Sequence, residues 1–455
     1  MIALAASVAL IAAAGQGSVA AASVALVAED RTALRAAPHD NAAAQAFLLR
    51  GDVLEVRGEE PGFLKVYDHR RERPGYVRPA LVRIAPTAPG ELRSIVRFLR
   101  HARGMESLGI AYAALALRAG QDAETYAAID EMAERVAARG DLHREVVEAA
   151  GVRFVDVEKD GRVQSCTDGD AFRRVLSLPG ASAADQAQAA LALTSGDCVD
   201  TATSSAATKV WNEWRLEVLG HVEGPVARVR LRRVEALAAL AYRQAREGDG
   251  EGAALRVEAA LRELQLVDRG TLADEELPLH AEAAVRLAAV RWAAERAPDV
   301  AARLPHLEAA PSGKPGETCL RVVEGEKMLR EKCTNGLVWP SSLRRTGAAL
   351  TAQVQLTPSW TELWVFRKFR GAWRVDPIAP AVAEPSIGYA EAAGASPAGD
   401  RLLIAREALV GGRLQRRFTV VRTNSLRPVA DSARPYGAFG KWSAPSWRGR
   451  TLALR

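Results

Sequence analysis

Catalytic signatures are what this chain most lacks. It contains no G-x-S-x-G, no H-E-x-x-H, no Walker loop and no G-x-G-x-x-G following a strand. The common routes to an activated serine, a helix-borne zinc or a cradled phosphate are therefore missing. Histidine is sparse: seven residues, no two of them four apart. Cysteine is sparse too, with four residues and no C-x2-C spacing that would preorganise zinc ligands. No run of five or six like charges occurs, and 61 Lys+Arg against 55 Asp+Glu leave only +6. That balance does not make a nucleic-acid footprint. Beyond the N-terminus no apolar stretch reaches the length of a membrane span. These absences predict a chain that is not an enzyme, with no metal, no cofactor, no nucleic-acid partner and no integral span.

What is present describes a globular protein. Its 455 residues, 48% apolar and 25% charged, exceed one core and predict about three domains. Met1 to Ala14 is nearly unbroken Ala, Val, Leu and Ile, and Ala20-Ala21-Ala22 offers a small-residue cleavage site before Ser23. Residues 1–22 thus read as a secretory signal peptide, with an uncleaved anchor as the alternative. Export to the periplasm or cell envelope would allow disulfides. Cys166 and Cys198 lie 32 apart, Cys319 and Cys333 14 apart. Of the three possible pairings the local one is the most economical; free buried thiols are the alternative.

Residues 24–85 carry short strand patterns bounded by turn residues. Ala25-Leu-Val-Ala28, Val53-Leu-Glu-Val56, Lys65-Val-Tyr67 and Tyr76-Val77 are separated by Pro38-His-Asp-Asn41 and Glu60-Pro-Gly62. The blocks Leu34-Arg-Ala-Ala-Pro38, Gly62-Phe-Leu-Lys-Val66 and Gly75-Tyr-Val77 stand where the bacterial SH3-like (Src homology 3) domain has its own turn and Gly-Trp motifs. The segment resembles that family. The resemblance implies a small β-barrel that binds cell-wall peptide or a protein partner. Phe63, Tyr67 and Tyr76 are the candidate ligand-groove aromatics, against the alternative that they fill the core.

Pro86-Thr-Ala-Pro89 reads as a linker. From 90 to 310 the period is helical. Ile95, Phe98 and Leu99 recur at helical spacing, and Gly104, Gly120 and Gly140 fall where helices should stop. Val229 to Gly248 and Glu251 to Asp268 predict a helical hairpin. Residues 152–166 interrupt with a β-hairpin around Asp160-Gly161. Asp156, Glu158 and Asp160 mimic the start of a calcium loop, but the twelfth position is Thr167 where a bidentate Glu is required.

Ala310-Pro-Ser-Gly-Lys-Pro-Gly316 reads as a second linker, and 317–455 as a β-rich domain. Ser396-Pro-Ala-Gly399 before a strand weakly resembles a blade of the Tol-associated β-propellers. Six of nine tryptophans follow residue 330. With Arg367, Arg370 and Arg374 nearby, they would form either a glycan-binding strip or the core of a small β domain. The predicted fold class is multi-domain α+β: an N-terminal SH3-like β-barrel, a central helical-hairpin domain and a C-terminal antiparallel β domain. The predicted role is binding or scaffolding in the cell envelope, with peptidoglycan peptide or an envelope protein as partner. The alternative is an accessory or degenerate envelope hydrolase with an unrecognised site.

Overall fold

The computed structural model describes residues 23–140, 142–159, 162–196, 198, 205–224, 226–298, 304–382 and 386–450. The expected signal segment and the Asp160-Gly161 turn lie outside them. Helices and largely antiparallel sheets alternate along the chain. Among the described residues no helix is long and apolar enough to cross a membrane. Two compact units form, Met1–Ala181 and Ser182–Arg455.

Unit 1 begins with seven strands: β1 (Val24–Val27), β2 (Thr32–Arg35), β3 (Ala44–Leu48), β4 (Val53–Glu60), β5 (Phe63–Asp68), β6 (Arg73–Val77) and β7 (Val82–Ile84). They form one antiparallel sheet in the order β3-β2-β6-β5-β4-β1-β7. The path ends at two short strands that do not pair with each other, so the barrel expected over 24–85 is not closed. Strand alternation buries Leu34, Leu54, Leu64, Val66 and Val77 on one face.

The helices α1 (Pro89–Leu99), α2 (Glu106–Ala119), α3 (Ala123–Arg139) and α4 (Arg144–Ala149) follow. In α1 the buried stripe is Leu92, Val96 and Leu99, while Phe98 is 76% exposed. The expected Phe98 stripe is therefore corrected: a neighbouring residue is rotated about 100° around a helix, and Leu99 takes the inward direction. Asp122 caps α3 by accepting from the Thr125 N–H at 3.2 Å, and Gly140 ends it in a left-handed conformation. β8 (Phe154–Lys159) and β9 (Arg162–Thr167) form the expected hairpin, and Lys159, expected in its turn, pairs with Arg162 as the last strand residue. Helix α5 (Asp170–Ser177) closes the unit.

Sheet and helices meet at Gly51. Its φ is +92°, and a Cβ there would lie 2.6 Å from the Ser107 carbonyl oxygen at the start of α2. Arg50 beside it donates to the Gly104 carbonyl and lies 3.6 Å from the Met105 sulfur. Glu106, 1% exposed, pairs with Arg139 at 2.8 Å and Arg135 at 3.2 Å. Burial pushes its carboxyl up, but the two arginines outweigh burial and hold it down at about 2.

Unit 2 starts with α6 (Ala183–Leu193), α7 (Ser205–Gly220), α8 (Ala227–Arg246), α9 (Gly250–Gln265) and α10 (Leu277–Val290), the last running into a 3-10 turn at Arg291–Ala294. The pair α8–α9 is the expected helical hairpin, with Leu231, Val234, Leu237 and Leu240 buried. The three strands β10 (His306–Pro311), β11 (Thr318–Glu324) and β12 (Lys327–Thr334) form a small antiparallel sheet. Residues 306–311 are thus strand, where a helix end and linker were expected; they pair with β11 over their whole length.

The nine remaining strands form one sheet: β13 (Leu337–Val338), β14 (Arg344–Thr346), β15 (Ala349–Thr357), β16 (Trp360–Phe369), β17 (Ala372–Ile378), β18 (Gly388–Ala395), β19 (Arg401–Val410), β20 (Arg413–Arg422) and β21 (Pro428–Ser432). Its pairings are antiparallel except β16 with β18, which run parallel. Ser396-Pro-Ala-Gly399 is the turn between β18 and β19. Two short helices, α11 (Gly437–Trp442) and α12 (Pro445–Arg450), end the chain. Val257 and Leu287 from the helices share one core with Tyr389, Leu403 and Phe418 from the sheet. The helices of 182–294 and the strands of 306–432 are therefore one unit, and the helices of 89–177 belong to another.

The helix-to-sheet seam of unit 2 holds a buried charge. Arg291, 7% exposed, pairs with Glu391, 1% exposed, and Tyr389 also donates to Glu391. Glu295 lies 3.9 Å from Arg291. A buried pair broken on one side leaves an uncompensated charge. Glu391→Ala should destabilise unit 2 by about 3–5 kcal/mol, read as a lowered denaturation midpoint. In unit 1, Gly51→Ala should cost about 2 kcal/mol or more through strain and backbone overlap. A midpoint unchanged by this substitution would show that the sheet does not rest on Ser107.

Candidate ligand-binding cleft

Antiparallel pairing brings the three expected aromatics together. Phe63, Lys65 and Tyr67 alternate outward along β5, opposite in direction to Leu64 and Val66 of the core. Tyr76 of β6 sits directly across from Lys65, so its side chain is on the same face. Their exposure differs: Phe63 is buried at 4%, Tyr67 and Tyr76 are half-buried. The chain's own cations cover two rings. Arg78 stands 4.9 Å from the Phe63 centroid and Arg57 3.9 Å from that of Tyr67. His69 meets Tyr67 edge-on at 4.9 Å.

His69 also borders a cavity within unit 1, a cleft of about 1010 Å³. This is the upper end of the range for ligand sites. Ala111 and Leu115 of α2, Tyr126 and Ile129 of α3 and Val146 of α4 give it an apolar wall. Residues 51–55 with His69 and Arg70 bring charge from the sheet, and Asp168, Asp170 and Arg174 from the start of α5.

Most of that charge is paired. Asp52, 4% exposed, meets Arg70 at 3.3 Å and Arg71 at 3.1 Å, and accepts from the Leu49 N–H at 2.9 Å. Glu55 accepts from Arg57 at 3.1 Å and meets His69 at 2.7 Å, which holds its carboxyl below the usual range. Arg174 pairs with Asp170 at 2.9 Å and likewise lowers it. Arg118 borders the cleft exposed, with no carboxylate partner among the described residues.

Asp130 differs from the paired carboxylates. It is 2% exposed and projects from α3, where its Oδ2 accepts from the Phe172 N–H at 2.7 Å. Gly169, which precedes α5, has no side chain to cap it. Asp130 thus supplies the cap from another helix. Burial raises its carboxyl to about 7; the backbone hydrogen bond opposes this, and nearby Asp168 and Asp170 add to it. The sequence signal was a lone carboxylate in the run Tyr126-Ala-Ala-Ile-Asp130, whose other members are all buried.

The cysteine expectations resolve as bonds. Cys319 and Cys333 stand opposite each other on β11 and β12 and form a disulfide. Cys166 and Cys198 are disulfide-bonded as well. Glu317 lies beside the 319–333 pair, but sulfurs bonded to each other present no thiolate to a metal. Four of the nine tryptophans are core residues: Trp292, Trp339, Trp360 and Trp364 are 2–6% exposed. Arg367, Arg370 and Arg374 gather around Phe369, each 5.4 Å from its centroid, rather than along a tryptophan strip.

No protein-family model, no curated protein and no solved structure matches this chain.

The buried carboxyl sets a pH dependence. An unfolded aspartate titrates near 3.8 and Asp130 at about 7. The folded state therefore holds a proton that the unfolded state releases, and stability falls as pH rises from 4 to 7. Asp130→Asn keeps an acceptor for Phe172 and removes the charge. It should stabilise unit 1 at pH 8 by roughly 1–3 kcal/mol and give no gain at pH 4. Equal effects at both pH values in denaturant titrations would contradict this assignment.

Proposed function

We propose that this chain is an exported, non-enzymatic binding protein of the cell envelope. Its unit 1 receives an extended peptide, with cell-wall peptide as the ligand and a protein partner's segment as the other candidate. The observation that carries the reading is the cleft of about 1010 Å³ with an apolar wall and charged borders that, Arg118 and Asp130 apart, are paired with one another. Such a surface can hold a chain with apolar side groups and orient its polar backbone, and it asks for no unusual ionisation. The SH3-like motifs of residues 24–85 agree with a binding role. Disulfide-bonded cysteines agree with an oxidising compartment.

One observation favours the hydrolase alternative. A carboxyl that ionises at about 7 beside a cleft has the proton affinity of a general acid. In that reading Asp130 donates the proton through Oδ1, because Oδ2 is engaged by Phe172.

Sedimentation with peptidoglycan sacculi tests the proposal, using the oxidised full-length protein. Wild type should co-sediment, and Leu115→Arg, which puts bulk and charge on the half-buried cleft wall, should weaken binding about tenfold or more. Tyr67→Ala and Tyr76→Ala should bind as wild type; loss of binding in these two, with the fold intact, would move the site to the outer face of the sheet. A wild type that stays in the supernatant would remove cell-wall peptide as the ligand. Release of soluble sacculus fragments by wild type but not by Asp130→Asn would establish the hydrolase instead.

A further inference from the structure

A second cavity, of about 420 Å³, lies wholly within unit 2. It forms where the 3-10 turn at Arg291–Ala294, the loop before β14, the end of β18 and the helices α11 and α12 come together. Gly394 permits the docking of those helices. Its φ is +153°, and a Cβ would lie 2.2 Å from the Trp442 carbonyl oxygen. The Ala444 N–H then donates to the Ala393 carbonyl at 2.8 Å.

Among the lining side chains that carry a buried polar atom without a hydrogen-bond partner are Trp292 Nε1, Gln353 Oε1 and Trp447 Nε1. Folded proteins leave few such atoms, because each costs about 1–3 kcal/mol. Here two donors and one acceptor collect around one cavity. The inner charges are matched: Arg291 pairs with Glu391, and Arg344 with Glu295 at 2.6 Å. Arg345 differs. It is exposed and donates to the Pro305 carbonyl, with no carboxylate partner among the described residues. One uncompensated positive charge therefore stands at the rim. Trp442 and Trp447 line the same cavity half-buried. The Trp292 ring is covered by Arg291 at 4.4 Å and Arg344 at 5.1 Å.

We propose that this cavity is a binding site for an acidic sugar, a pyranose ring bearing a carboxylate. Its C–H face suits the half-buried Trp447 indole, its hydroxyls both donate and accept, and its carboxylate suits Arg345. Other ligand classes fit less well. A fatty acid would leave the three polar atoms unpaired. A phosphate dianion calls for more free positive charge than one arginine. A cation would meet the net positive charge of the rim.

The test is titration calorimetry on the oxidised full-length protein with two probes of equal length, a tetrasaccharide of galacturonate and the neutral tetrasaccharide of glucose. The uronate should bind about tenfold more tightly or better. Arg345→Gln, at an exposed position that leaves the core intact, should abolish the difference between the probes. Trp447→Leu should weaken both. Leu115→Arg in unit 1 should leave uronate binding unchanged, which separates this site from the peptide cleft. Equal affinity for the two probes, no binding of either, or an Arg345→Gln variant that still prefers uronate would each overturn the proposal.

Discussion

The ion pair between Arg291 and Glu391 is the constraint on which unit 2 depends. The two residues are a hundred positions apart, one in the 3-10 turn that follows α10 and one in the middle of β18. Both are nearly inaccessible to solvent, so each must find the other or remain a buried, unpaired charge. Apolar packing between α10 and the sheet is tolerant of small slides, because alanines and valines fill most of it. The charge pair is not tolerant. It sets the helix at one place on the sheet, with Glu295 and Arg344 extending the network to the rim of the smaller cavity.

Unit 1 uses the same device with different residues. Glu106 at the start of α2 is buried against Arg135 and Arg139, and Asp52 in the sheet is buried against Arg70 and Arg71. These pairs lie beside the Gly51 contact, where backbone meets backbone. A basic chain whose cations are mostly arginine is suited to this role, since the planar guanidinium satisfies a carboxylate and can still lie over an aromatic ring. The pairing also bears on function. It pairs most of the charge at the borders of the large cleft and leaves Arg118, Asp130 and Arg345 outside that pairing.

Much of the secondary structure was legible along the chain. The hairpin α8–α9 could be read because Leu231, Val234, Leu237 and Leu240 repeat at helical spacing over a long stretch. The β8–β9 hairpin followed from the Asp-Gly signal in the sequence, and the 319–333 bond from its short spacing. Phe98 misled because a hydrophobic residue adjacent to a buried stripe carries the same composition signal while pointing elsewhere. Residues 306–311 misled because a strand that begins after a helix and ends at a proline resembles a linker. The cleft was not legible at all: it is assembled from the sheet, three helices and the start of α5, and no window of sequence contains it.

By itself the sequence determined what depends on neighbours in the chain. Periodicity chose helix or strand, and turn residues set the hairpins. Tertiary structure alone decided which carboxylates are buried, where the two units divide, and that the first sheet stays open. It also decided that three outward aromatics of β5 and β6 share one face while the larger cavity opens elsewhere. The physical reason is range. Backbone propensity and side-chain alternation act over a few residues, whereas desolvation of a charge is fixed by atoms that arrive from anywhere in the chain.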